Sequence, residues 1–99
     1  MAFPFSTSVP LSKTGATPYA LTVGDLNGDG VIDIVVGNVE APSVIYFNDG
    51  TGRHFTSLTF GDNKGAVYGF AIGDLNGDGL ADIAAARSDA PNIVYFGGR

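Results

Sequence analysis

Short apolar stretches alternate with polar, glycine-rich segments along the whole 99-residue chain. Phe5-Ser6-Thr7-Ser8-Val9-Pro10-Leu11 places Phe5, Val9 and Leu11 on one side, a period-two pattern that predicts a strand. Pro10 has no N–H to give to a ladder, so this strand belongs at an edge. Ser12 to Pro18 is polar and reads as loop. Tyr19-Ala20-Leu21-Thr22-Val23 is the next strand, and Ile34-Val35-Val36, apolar on both faces, is a buried one. Asn38 to Ser43 contains Ala41-Pro42 and predicts a turn. Val44-Ile45-Tyr46-Phe47 is a strand. Asn48-Asp49-Gly50-Thr51-Gly52 is a hairpin signal, and His54 to Phe60 follows as a strand with Thr56, Leu58 and Phe60 on one face.

The order then repeats. Asp62-Asn63-Lys64-Gly65 is a loop, Val67 to Ile72 matches the Tyr19 strand, Ile83-Ala84-Ala85-Ala86 matches Ile34-Val35-Val36-Gly37, and Ile93 to Phe96 matches Val44 to Phe47. The offset is about 49 residues, a repeat period that signals a propeller or solenoid. About half the aligned positions are identical, more than shared strand propensity produces. No useful helical periodicity is present, so the fold class is all-β.

Between the first two strands of each copy lies an acidic loop, Asp25-Leu26-Asn27-Gly28-Asp29-Gly30-Val31-Ile32-Asp33 and Asp74-Leu75-Asn76-Gly77-Asp78-Gly79-Leu80-Ala81-Asp82. Oxygen side chains fall at positions 1, 3, 5 and 9: Asp25, Asn27, Asp29 and Asp33, then Asp74, Asn76, Asp78 and Asp82. The carbonyls of Val31 and Leu80, at position 7, can add one oxygen each. Calcium takes roughly six to eight oxygens, and a short loop supplies several at alternating positions. An EF-hand is excluded, because position 12 needs a bidentate Glu and holds Val36 or Ala85, and because apolar strands flank the loops. Metal-free Asp/Asn/Gly turns are the plain alternative. Three converging carboxylates, repeated twice, repel one another unless a cation lies between them, which favours two Ca2+ ions per chain.

Formal net charge is −5, and six of the ten acidic residues are the loop aspartates. The acidity thus belongs to the loops. Five scattered Lys and Arg residues argue against a nucleic-acid partner. No apolar run approaches a membrane span, and the absence of cysteine excludes disulfides and thiol chemistry. Met1 to Phe5 lacks the basic and long apolar regions of a signal peptide. With one His and no Ser placed beside a base, catalysis is not expected.

Four short strands per unit, with a DxNxDGxxD loop between the first and second, resemble the FG-GAP/VCBS repeats of integrin-type β-propellers. The Gly-Ala-Pro element of those repeats is looser here, as Gly37…Ala41-Pro42 and Ala86…Ala90-Pro91. The resemblance implies propeller blades of four antiparallel strands, structural calcium at the two loops, ligands bound elsewhere, and a typically extracellular parent.

On this reading residues 15–64 form a first blade and 65–99 a second blade with three strands. Residues 1–14 carry a displaced outer strand, because Val9 aligns with Leu58 and Leu11 with Phe60. Two blades cannot close on themselves, since propellers have roughly four to eight. The expected partner is therefore another copy of the chain, in a head-to-tail ring of six blades as a trimer or eight as a tetramer. A chain that starts and stops at matched repeat points also fits a truncated or engineered fragment. The alternative function is a lectin-like or adhesion propeller that binds a glycan or protein ligand, with Tyr19, Tyr68, Arg53, His54 and Arg87 as candidate contacts. Tyr19 and Tyr68, at equivalent positions, read more simply as packing residues, and His54 as a solvated one.

Overall fold

The computed structural model describes residues 7–11 and 16–98, and its seven strands follow the predicted alternation. β1 (Thr17–Gly24), β2 (Asp33–Val39), β3 (Ser43–Asn48) and β4 (Phe55–Phe60) form an antiparallel meander. β5 (Ala66–Gly73), β6 (Asp82–Ser88) and β7 (Ile93–Tyr95) form a second meander of three strands. A single antiparallel pair, Val39 with Ala66, joins β2 to β5 and makes the two parts one sheet. Glu40 N beside that pair donates to Gly65 O at 2.7 Å. The protein is all-β, built of antiparallel propeller blades, the first with four strands and the second with three.

The core lies between the blades. Period two sends Val35 and Ile45 of the first blade toward Ile83 of the second, with Phe47, Phe60, Phe70 and Tyr95 packed around them. Ala20 meets Val67 and Ala85 in an adjoining cluster. Gly37 has a steric reason. A Cβ there would stand 2.6 Å from Val67 Cβ and 2.9 Å from Phe70 Cε2. The glycine lets the Phe70 ring and Val67 press directly on the first blade's backbone.

Three expectations change. β1 begins at Thr17, two residues before Tyr19, and carries a bulge at Tyr19, as β5 does at Tyr68. The Asn38–Ser43 turn is shorter than expected. Asn38 and Val39 extend β2, Asn38 Nδ2 donates to Pro42 O at 2.8 Å, and the reversal is left to Glu40 at φ 51°. For the opening strand, Phe5 and Ser6 lie outside the described residues, and Thr7 to Leu11 are not in a strand. A strand exists only in a ladder, and among the described residues β1 pairs with β2 alone on the first blade's inner side. Pro10 further removes a donor.

Candidate metal centres

Each acidic loop spans the gap between a blade's innermost strand and the next, β1 to β2 and β5 to β6. Gly28 and Gly30 hold φ of 76° and 81°, and Gly77 and Gly79 hold 75° and 83°, a left-handed path that other residues take only under strain. This path folds the loop around its first aspartate. Asp25 Oδ1 accepts from Gly28 N at 2.9 Å and Oδ2 from Gly30 N at 2.8 Å. Asp74 repeats this with Gly77 N and Gly79 N, both at 2.8 Å. The amide of Gly30 holds the Asp25 carboxyl below its usual range, and that of Gly79 does the same for Asp74; hydrogen bonding to the charged form outweighs the opposing effect of desolvation.

Asp29 Oδ1 accepts from Val31 N at 2.9 Å, and Asp78 Oδ1 from Leu80 N at 3.0 Å. Val31 and Leu80 thus enter the loops through their amides. Asp33 and Asp82 are fully buried. Asp33 accepts from Leu26 N at 3.0 Å and Asn48 N at 2.9 Å. Asp82 accepts from Leu75 N and Gly97 N, both at 2.7 Å.

These contacts converge the carboxylates. One oxygen each from Asp25, Asp29 and Asp33 lies within 4.8 Å of the others, and the same holds for Asp74, Asp78 and Asp82. One end of the Asn27 amide points into the first cluster, 2.8 Å from Asp29 Oδ1 and 3.2 Å from Asp25 Oδ1 and Asp29 Oδ2. With its NH2 there, Asn27 donates to both carboxylates. Every side-chain donor atom is a hard oxygen, the set suited to calcium or magnesium rather than to a soft metal. Both acidic clusters can hold a metal ion. In the second loop the three aspartates converge as in the first, while Asn76 is exposed and makes no hydrogen bond among the described residues.

The FG-GAP-like repeat model matches residues 25–85, from Asp25 at the start of one acidic loop to just past Asp82 at the end of the other. The chain belongs to the FG-GAP-like repeat family. No curated protein and no solved structure matches the chain. In this FG-GAP-like chain no helix among the described residues is long and apolar enough to cross a membrane.

The sequence missed the backbone amides that hold the ninth loop position. Asn48 carried a signal, because its side chain accepts from Gly50 N and Gly52 N as the NDGTG hairpin demands. Gly97 carried none. The other candidate contacts scatter. Arg53 and His54 are exposed. Arg87 is engaged within the chain: its side chain is 5% exposed, donates to Asp62 Oδ1 at 2.7 Å and to Pro91 O at 2.7 Å, and so fastens the second blade to its connection. Tyr19 and Tyr68 stack on each other with ring centroids 6.1 Å apart, yet remain 60% and 65% exposed. They pack as a pair on the surface and not in the core.

Proposed function

We propose that this FG-GAP-like chain is a calcium-binding propeller module that assembles head to tail with copies of itself, the two calcium ions per chain being structural. The observation that carries the calcium reading is the convergence of three carboxylates in each loop. A cation there relieves their repulsion and ties the innermost strand of each blade to the next. Assembly is supported by β7, which has only three residues, stands at the end of the sheet order and has no outer neighbour among the described residues. It is also supported by the first blade's apolar outer face, where Leu21 is 63% exposed and Val23 55%. The outer strand in residues 1–14 of one copy completes the second blade, residues 65–99, of the next, and closed rings of three or four chains satisfy every blade.

Native mass spectrometry of the full chain tests both parts. With calcium, the expected species is a trimer or tetramer carrying two ions per chain, and in excess EGTA it melts earlier or falls apart. An unchanged mass and melting curve in EGTA removes the structural role for calcium.

A second reading rests on a cleft of about 720 Å³ between the loops, where Asp25 and Asp74 stand beside Phe47, Ile72 and Leu80. Polar groups above an apolar floor suit a glycan ring. A glycan array without a binder counts against it.

A further inference from the structure

The contact between the chain's own two blades is a template for the surfaces left outside it. Inside, the first blade presents Val35, Gly37 and Ile45 to Phe70, Ile83 and Ala85 of the second. Shifting each residue by the repeat offset of about 49 moves this contact onto the two outward faces. Gly37 becomes Ala86 and Phe70 becomes Leu21. Val35 becomes Ala84, and Ala85 becomes Val36.

Register agrees with the shift. Leu21 pairs with Val36 on one outward face, and Ala71 with Ala84 and Val94 on the other. Each face keeps exposed apolar side chains: Leu21 and Val23 on the first, Val94 at 40% and Phe96 at 61% exposure on the second. On the first face, Ile34, Val36 and Val44 are half-buried and Tyr46 is buried. The second face is hollowed into a depression of about 530 Å³ lined by Gly69, Ala71, Ala84, Ala86 and Val94.

The size changes cancel. Inside, a bare Gly37 receives the large Phe70 ring. Outside, Ala86 adds a methyl where Leu21 is smaller than Phe. Inside, the facing surfaces carry Val35 and Ala85 in adjoining clusters; outside, the matching positions are Ala84 and Val36, the same two residue types exchanged between the faces. Volume-conserving exchange is what close packing tolerates. An unrelated partner gives no reason for the two faces of one chain to be matched to each other.

We infer that the outward face of the first blade (Leu21, Val23, Val36) docks on the outward face of the second blade of another copy (Ala71, Ala84, Ala86, Val94), in the register of the internal blade contact. This rests on the self-assembly reading and names its surface. In that register Leu21 of one copy lies over Ala86 of the next, and the Tyr19–Tyr68 stack continues from copy to copy.

A mutant cycle in the full chain tests it, read by native mass spectrometry and sedimentation velocity over a concentration series with calcium present. Leu21→Phe overfills the Ala86 position, and the concentration for half-assembly rises about tenfold or more. Ala86→Gly in the same chain restores the space and brings it back to near the wild-type value. Both positions are exposed in the single chain, so far-UV circular dichroism stays unchanged. Val94→Asp, on the receiving face, leaves single chains. A wild-type chain that stays single at every concentration overturns this inference together with the self-assembly reading. A wild type that assembles while Leu21→Phe has no effect, or is not rescued by Ala86→Gly, overturns the assigned surface alone. Assembly only with an added foreign protein overturns both.

Discussion

Asp33 and Asp82 differ from the other loop carboxylates in being fully buried and in reaching outside their loops. Asp33 joins Leu26 at the loop's start to Asn48 at the end of β3, and Asp82 joins Leu75 to Gly97. Each therefore serves the fold with or without an ion. Asp33→Ala orphans two amides, and each costs roughly 1–3 kcal/mol when left unpaired. Urea unfolding in EGTA is expected to register that loss. Asp29→Asn accepts no long-range bond, so its urea midpoint in EGTA stays at the wild-type value while the stabilisation gained from added calcium falls. The spacing of oxygen residues made all these positions legible as candidate ligands. It could not rank them, because Asn48 and Gly97 stand 15 residues from the aspartates they bond, and only the ladder brings them close. Tyr19 and Tyr68 were hidden for a related reason. A bulge moves each off the period-two alternation that sorts buried from exposed positions.

At the level of elements, the repeat made the strands and loops readable, because turn residues and apolar stretches recur together. What it did not reveal is how the copies diverge where they meet. Asn38 Nδ2 donates to Pro42 O in the first blade, and at the matching place Arg87 Nε donates to Pro91 O in the second. The longer arginine reaches on to Asp62 in the connection between β4 and β5. The amide of Lys64, and then the Arg87 guanidinium, hold the Asp62 carboxyl below its usual range. A depressed carboxyl contributes stability that is fully present above its unfolded pKa, about 3.9, and is lost as pH falls through the lower folded value. Asp62→Asn should thus lower the thermal midpoint at pH 7, with the gap from wild type closing on acidification below about pH 3.9. A gap that persists at pH 2 points to something other than this charge. Gly37→Ala is the companion test of packing. Its methyl would enter the space of Val67 and Phe70 and is expected to cost about 1–3 kcal/mol by denaturant unfolding.

At the scale of the whole molecule, β7 has no outer neighbour among the described residues, where β3 has β4. In the first blade β4 pairs with β3 over six residues, from Ser43–Phe60 to Asn48–Phe55. β4 then leads through a short connection into β5, the innermost strand of the following blade. Leu11 and Thr17 are separated as Phe60 and Ala66 are, so the opening segment stands to β1 as β4 stands to β5. By that equivalence it corresponds to the outer strand of a blade other than the two described. The absence of strand over Thr7 to Leu11 fits such a segment, and its ladder partner would be β7 of another copy. Deleting residues 1–11 leaves β1 to β7 intact, so circular dichroism should keep its β signature while native mass spectrometry shows single chains. A synthetic peptide of residues 1–14, added in excess, should bind the deleted chain one to one by filling the edge of β7. A deleted chain that assembles as the full one does would assign the proposed assembly to the blade faces alone, and a peptide that fails to bind would leave β7 as a true edge.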